Sequence, residues 1–145
     1  MLLYLSNSIA FPVVLFGCVT AGLKCSPANS AYTSRELQHQ YADSGANIVV
    51  TNGDGLPVVY DMFQSIGLNR EEAYKRIVIV GDNLGWTGGA KSPVNSTAQG
   101  PADMEELLAA GPLLQEETFS GDDAHQTCYI CYSSGTTGKP KGVEV

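Results

Sequence analysis

The sequence predicts an α/β fold, with a layered, mostly parallel sheet flanked by helices. Two observations carry this prediction. The predicted strand 76–81 contains the apolar run Ile77–Val80 without polar alternation, which is typical of a strand buried on both faces in a parallel sheet. Such runs alternate along the chain with segments that carry helix-start and helix-stop signals, as expected for strand–helix–strand units. The length of 145 residues suits one modest domain with a hydrophobic core.

The first half of the chain predicts three strands and two helices. An apolar segment follows Ser8, and we expect Asn7 or Ser8 to cap a helix there that Gly22 ends. Thr33 and Glu36 have the spacing of a capping box, which predicts the start of the second helix. The predicted strands cover residues 2–5, 24–26 and 47–51, residues 27–32 form a turn, and the second helix runs to about residue 44.

The second half predicts two helices, two strands and one long surface loop. Gly67 ends the first of these helices and the Gly111-Pro112 pair ends the second. The loop is predicted because its segment is rich in Gly, Ser, Asn and Thr and holds no periodic pattern. The predicted helices cover residues 56–66 and 102–110, the strands 76–81 and 128–132, and the loop 82–100.

The charge balance excludes one class of partner. The formal net charge is −7 and the isoelectric point is about 4.6. Proteins that bind nucleic acid usually present a basic face, so this balance predicts no nucleic-acid partner. It is compatible with an enzyme that acts on small molecules.

The apolar run from residue 9 to 23 resembles the core of a signal peptide, and residues 15–18 resemble a lipoprotein processing site. No Lys or Arg precedes the run, and the first positive charge, Lys24, lies after it. The run is also shorter than the roughly 20 residues that span a bilayer. The sequence therefore predicts a buried helix and no transmembrane segment, with a lipoprotein anchored at Cys18 as the weaker alternative.

The cysteines and histidines predict no metal site. Cys128 and Cys131 have a zinc-like or redox-like spacing, but positions i and i+3 of a strand face opposite sides of a sheet. Cysteines in apolar runs commonly pack as small hydrophobic side chains, and we expect this of all four. His39 and His125 have no Cys or His partner at ligand spacing, so both are predicted to be surface residues.

The chemistry of the chain is predicted to lie in residues 133–142. Three glycines there allow the backbone to approach a ligand closely, and successive backbone N–H groups can form an anion-binding concavity. Lys139 and Lys141 add positive charge, and Pro140 between them stiffens the turn. Hydroxyl donors come from Ser133, Ser134, Thr136 and Thr137. Together these groups predict a site for a polyphosphate.

Two other interpretations of this segment are weaker. The Walker A loop requires Gly where Ser133 stands and Ser or Thr where Pro140 stands, so both ends of that motif fail. A flexible linker rich in Gly, Ser and Thr rarely combines two lysines and a proline directly after an apolar strand.

The segment from Tyr132 to Gly142 resembles, without a mismatch, the phosphate-loop signature of the adenylate-forming (AMP-binding) superfamily. That signature is Tyr-(Thr/Ser)-Ser-Gly-(Thr/Ser)-Thr-Gly-x-Pro-Lys-Gly. Further upstream segments are similar to the 4-coumarate–CoA ligase and luciferase branch, and residues 82–121 are the least similar. These segments are residues 4–8, 11–14, 21–22, 29–37 and 43–46.

The resemblance implies an acid–thiol ligase. Members of the family activate a small carboxylic acid with ATP, accompanied by Mg²⁺, and usually pass the acyl group from an acyl-adenylate to coenzyme A. The acid, and whether the acceptor is coenzyme A, a carrier protein or oxygen, stay open. The resemblance also implies an intracellular location, either cytoplasmic or peroxisomal.

The resemblance assigns the phosphate contacts to one set of residues and leaves Lys139, at a variable position, without a role. The set is Ser133, Ser134, Gly135, Thr136, Thr137, Gly138, Lys141 and Gly142. No residue is named catalytic, because the family's catalytic lysine belongs to a small C-terminal domain that these 145 residues do not contain.

The family's other site segments are also missing from the sequence, so residues 1–145 are predicted to be a partial AMP-binding domain. We expect that the chain alone does not adenylate a substrate, and that it folds poorly alone because its sheet leaves an apolar edge. The alternative function is a non-catalytic ATP-binding remnant or a short regulatory product.

Overall fold

The computed structural model describes residues 1–81, 100–115, 117–133 and 140–145. The strands are β1 (Leu2–Tyr4), β2 (Ser26–Ala28), β3 (Val49–Asn52), β4 (Ile77–Val80), β5 (Ala102–Asp103), β6 (Ile130–Ser133) and β7 (Lys141–Glu144). The helices are α1 (Ala10–Thr20), α2 (Ser34–Asp43), α3 (Leu56–Ser65), α4 (Arg70–Tyr74) and α5 (Met104–Ala109), and a short 3-10 helix covers Gly121–His125.

Strands β1 to β5 form a parallel sheet in the order β2-β1-β3-β4-β5. Every pair of neighbours in it is parallel. Helices connect β1 to β2, β2 to β3 and β3 to β4, as parallel pairing requires, because a parallel strand needs a long crossover connection. The predicted α/β fold with a mostly parallel sheet is therefore confirmed.

Both faces of the sheet are covered, which explains the unbroken apolar runs. Side chains alternate between the two faces of a strand, so Leu2 and Tyr4 pack in one core cluster while Leu3 and Leu5 pack in the other. The first cluster contains the buried side chains of α2 and α3, among them Phe63. The second contains buried residues of α1 and the start of α5.

Helix α2 begins as the sequence predicts, but α1 does not. The side chain of Thr33 accepts a hydrogen bond from the Glu36 backbone, and the Glu36 carboxylate accepts one from the Thr33 backbone. The predicted cap of α1 by Asn7 or Ser8 is wrong, because the cap position is Ile9, whose side chain makes no capping bond. The segment from residue 6 to 8 is instead an exposed bend before the helix.

Strand β2 lies two residues later than predicted and contains Pro27, which was expected in a turn. The backbone N–H of Cys25 donates away from β1, to the Cys128 carbonyl, and that of Ser26 donates toward β1, to Met1. Because successive backbone N–H groups of a strand point in opposite directions, the Pro27 nitrogen points away from β1. The missing N–H of proline therefore costs the pair β1–β2 no hydrogen bond.

Two other elements differ from the prediction. Helix α4, capped by Asn69 and Glu72 in a second capping box, was not predicted. Residues 102–103 were expected to be helical but pair with β4 as β5, and Asp103 then caps α5. Residues 82–99 of the predicted surface loop lie outside the described residues.

The four cysteines differ in burial, and Cys128 is half-buried. Cys18 and Cys25 are buried and pack in the core as predicted, and the Cys18 thiol donates to the Leu23 carbonyl over 3.4 Å. Cys131 is exposed, so its prediction as a packed side chain is wrong, because its neighbour Ile130 takes the buried position of β6. Cleavage before Cys18 would remove β1, which pairs with both β2 and β3, so the fold disfavours the lipoprotein alternative.

Within the described parts of the chain, no helix is both long and apolar enough to cross a membrane. In the same residues, no group of three or more His, Cys, Asp or Glu side chains is arranged to hold a metal ion.

Candidate functional site

A β-hairpin carries the predicted phosphate loop. Strands β6 and β7 pair antiparallel, and Ser133, the last residue of β6, lies opposite Lys141, the first residue of β7. Both residues are exposed at the base of the loop. The structure therefore brings the hydroxyl-bearing and the ammonium-bearing end of the loop together.

Only part of the predicted site can be placed. Ser133, Lys141 and Gly142 are described, and the pairing of β6 with β7 sets their relative positions. Ser134, Gly135, Thr136, Thr137 and Gly138 lie outside the described residues, as does Lys139. Strand β7 was not predicted from the sequence.

Backbone hydrogen bonds fix the hairpin beside the parallel sheet. The N–H of Cys25 donates to the Cys128 carbonyl, and the N–H of Ile130 donates to the Cys25 carbonyl, both over 2.9 Å. Cys25 and Tyr129 form an isolated parallel bridge, so β6 runs in the same direction as β2. Ser133 at the end of β6 thus lies on the side of the carboxyl ends of the strands, where α/β sheets bind their ligands.

A buried polar chain links α2 to the same hairpin. The Gln40 side-chain amide donates to the Ser26 hydroxyl over 2.8 Å and to the Pro27 carbonyl over 3.0 Å. The Ser26 hydroxyl in turn donates to the Ile130 carbonyl over 3.0 Å. These groups need partners because burial without a hydrogen bond is costly. The chain of bonds joins α2, β2 and β6 in one fixed arrangement.

Two further side chains of α2 contact the two flanks of the loop. The Tyr132 hydroxyl, one residue before Ser133, donates to Asp43 Oδ2 over 2.6 Å. His39 Nε2 lies 3.1 Å from the carbonyl oxygen of Pro140, one residue before Lys141. The His39 and Tyr132 rings also meet edge to face, with centroids 6.5 Å apart and planes at 81°.

The protonation of Tyr132 suits its role as a donor. Burial and the hydrogen bond with the Asp43 carboxylate raise the pKa of Tyr132 above its ordinary value of 10.0. The hydroxyl therefore keeps its proton at neutral pH and donates to the carboxylate.

Gly142 makes room for the same tyrosine. A Cβ at position 142 would lie 3.0 Å from Ile130 Cγ2 and 3.1 Å from Tyr132 Cζ. The Tyr132 ring lies across β7 at this point, because Tyr132 and Gly142 are directly opposed in the hairpin. A side chain at position 142 would therefore force the Ile130 side chain and the Tyr132 ring to shift.

The sequence did not reveal the α2 residues of this site. His39 was predicted to be a surface residue and not a metal ligand, and no contact with the loop was predicted for it; it is half-buried and contacts Pro140. Residues 39 and 43 are spaced i, i+4 and so share one helix face, which was the available signal. Their partners lie 101 and 89 residues away, and no local pattern connects them.

Known proteins resemble the chain in sequence over nearly its full length. An acetyl-coenzyme A synthetase of Cupriavidus metallidurans is 26% identical over 98% of the chain. The 4-coumarate–CoA ligase-like protein 8 of Arabidopsis thaliana is 29% identical over 94% of the chain. The chain spans 21% of the first of these proteins and 22% of the second, about a fifth of their length.

Solved structures share its fold. A red-emitting luciferase of Phrixothrix hirtus superposes on 99% of the chain with a TM-score of 0.72 at 20% identity, and the chain covers 32% of it. An acyl-CoA synthetase of Brucella canis gives the same TM-score and identity, with 22% of its chain covered.

The model of the family described as AMP-binding enzyme matches residues 1–145, the full chain. It agrees with the sequence relatives, with the shared fold and with a hairpin whose two strands flank the phosphate-loop signature. The family predicted from that signature is thereby confirmed: this chain belongs to the AMP-binding enzymes.

Proposed function

We propose that the chain supplies the phosphate-binding part of an ATP-dependent acid–thiol ligase, which activates a carboxylic acid as an acyl-adenylate and transfers it to coenzyme A. The observation that carries the proposal is the hairpin that sets Ser133 opposite Lys141. An ammonium and a hydroxyl side by side at the base of a glycine-rich loop suit a triphosphate, because both donate to anionic oxygens.

Within this proposal, the two described residues with polar side chains have defined tasks. Lys141 attracts the β- and γ-phosphates, and the Ser133 hydroxyl donates to a phosphate oxygen. The task of both is to position the phosphates and stabilise their charge, which is how most protein groups assist phosphate chemistry. The resemblance assigns further contacts to Ser134, Gly135, Thr136, Thr137, Gly138 and Gly142.

Magnesium would accompany ATP through phosphate oxygens, since Mg²⁺ at such sites is held largely by substrate phosphates and water. Coenzyme A is proposed as the acceptor because relatives in sequence bear the names acetyl-coenzyme A synthetase and 4-coumarate–CoA ligase-like 8. The class of acid is a small carboxylic acid. An intracellular location, cytoplasmic or peroxisomal, stays a prediction.

The groups that complete such a reaction in the family are not found in these residues. We therefore propose that residues 1–145 form part of an AMP-binding domain and that the chain by itself binds ATP without adenylating an acid. Acid-dependent exchange between ATP and pyrophosphate by the 145-residue chain would contradict the second point.

The binding step can be tested by titrating MgATP and tripolyphosphate into the chain and measuring the heat of binding. Replacing Lys141 with Ala removes one charged donor, and we expect affinity to fall at least about tenfold. Lys75→Ala is the matched control, because Lys75 is exposed on the segment before β4 and pairs with Glu71. Equal affinities of Lys141→Ala and Lys75→Ala would overturn the proposal.

A further inference from the structure

We infer that His39 and Asp43 of α2 are positioning residues that hold the two ends of the phosphate loop. This inference rests on the proposed function of the loop. Asp43 accepts from Tyr132 on the strand that enters the loop, and His39 contacts Pro140, the residue directly before the strand that leaves it. A single helix thus contacts both flanks of residues 133–139.

The helix that makes these contacts is itself fixed. Its first turn is closed by the capping box of Thr33 and Glu36. Leu37 and Tyr41 are buried in the core, and the Gln40 amide is bonded to β2. A helix that is fixed by its cap, by core packing and by this hydrogen bond holds the side chains that project from it in defined positions.

The hairpin has little burial of its own. All four residues of β7 are exposed, and in β6 only Ile130 is buried. Hydrophobic packing therefore does not fix where the loop ends lie relative to the sheet. Hydrogen bonds supply that restraint, from the backbone of β2 to the start of the hairpin and from α2 to the loop ends, because they depend on distance and angle in a way that apolar contact does not.

The chemistry of the His39 contact defines the proton position. A backbone carbonyl only accepts hydrogen bonds, so His39 Nε2 carries the proton and donates to Pro140. The ring of Pro140 already fixes its own φ angle. Holding the adjoining carbonyl therefore sets the direction in which the chain enters β7 and presents Lys141.

Among the described residues, Tyr132 and Asp43 lie beside this contact. Tyr132 lies edge-on to the His39 ring, and Asp43 bonds Tyr132 from one helical turn further along α2. Asp43, Tyr132, His39 and the Pro140 carbonyl thus form a connected set across the base of the loop. Preorganising a binding loop in this way raises affinity, because less conformational freedom is lost on binding.

The test compares variants that differ in hydrogen-bonding capacity. His39→Leu removes the donor at similar size, whereas His39→Gln keeps an amide N–H that can reach the carbonyl. We expect affinity for MgATP to fall about three- to tenfold in His39→Leu and to recover in His39→Gln. His125→Leu is the matched control, since His125 lies in the exposed 3-10 helix. Equal losses in the Leu and Gln variants, or no loss in His39→Leu, would overturn the inference.

A second readout does not depend on ATP binding. Amide order parameters of Ser133, Lys141 and Gly142 are measured by NMR on the ligand-free chain, and we expect them to fall in His39→Leu and in Tyr132→Phe. Tyr132→Phe removes only the hydroxyl, so it tests the contact between Tyr132 and Asp43 even if His39→Leu fails to fold. Unchanged order parameters in Tyr132→Phe would contradict the role of Asp43.

The two proposals fail in different ways. If the unmodified chain binds neither MgATP nor tripolyphosphate, or if Lys141→Ala binds both as tightly as the unmodified chain, the proposed function fails. If Lys141→Ala loses affinity and His39→Leu does not, only the positioning inference fails.

Discussion

The parallel sheet and the β6–β7 hairpin are held in place by different forces. The sheet is covered on both faces by apolar side chains, and the side chains of Leu2, Leu3 and Val49 have no exposed surface. The hairpin is largely exposed and is held by backbone bonds to β2 and side-chain bonds to α2. The difference teaches that the stability of this chain resides in the sheet, while the placement of its loop depends on a few polar contacts.

The largest expected effect tests the sheet side of this comparison. Phe63 of α3 is fully buried and meets the Tyr41 ring edge to face at 5.3 Å. We expect Phe63→Ala to lower the free energy of unfolding by about 3–5 kcal/mol, since it leaves a cavity in the core. Urea unfolding followed by circular dichroism measures this. Phe119→Ala is the control, because Phe119 is 41% exposed, and a similar loss in both variants would contradict a core-based stability.

A smaller loss is expected at the turn after β3. Gly55 lies against the Tyr4 ring, and a Cβ there would be 3.1 Å from Tyr4 Cδ1 and would also clash with the Thr51 hydroxyl. Overpacking of this kind costs about 1–3 kcal/mol, so we expect Gly55→Ala to destabilise the chain by that amount. Gly53→Ala provides the comparison, because a Cβ at Gly53 would meet no atom within 4 Å. Equal melting temperatures of the two variants would argue against close packing at Gly55.

Ser26 lies at the boundary between the two regions. Ser26→Ala would leave the Gln40 amide without one acceptor and the Ile130 carbonyl without its side-chain donor. We expect a loss of about 1–2 kcal/mol, in the range for breaking a buried hydrogen-bonded link. Hydrogen exchange should quicken more at Ile130 than in β3, since the hairpin depends on this link. Ser120→Ala, at an exposed position, should change neither quantity. An equal increase of the amide exchange rate at Ile130 and in β3 would contradict a specific dependence of the hairpin on this link.

The smallest expected effect concerns the helix that serves both regions. Hydrogen bonds from the Thr33 backbone and hydroxyl lower the pKa of the exposed Glu36 carboxyl below its ordinary value of 4.5. The carboxylate therefore stabilises α2 fully above pH 4.5, and this stabilisation is lost as pH falls through the lowered value. Melting temperature measured from pH 6 to pH 3 should fall more in the unmodified chain than in Glu36→Gln. Parallel curves would show that the capping box contributes nothing measurable.

The sequence predicted most of the sheet because its signals are local. The apolar run before Gly81 and the Thr33–Glu36 box each specify one element by neighbouring residues alone. The position of β2 was missed because Pro27 is tolerated only by virtue of its direction in the folded sheet. The contacts of His39 and Asp43 were missed for the same kind of reason, since they exist only after distant segments meet.

Gly142 has a consequence for strand register. If β7 slipped by one residue against β6, a residue with a Cβ would come opposite Tyr132, and a Cβ built at Gly142 lies only 3.1 Å from the ring carbon Cζ. A slip of one residue also turns every side chain of a strand to the opposite face. Lys141 would then project from the wrong side of the hairpin. Gly142, which has no side chain, thus selects the face of the hairpin on which Lys141 is presented.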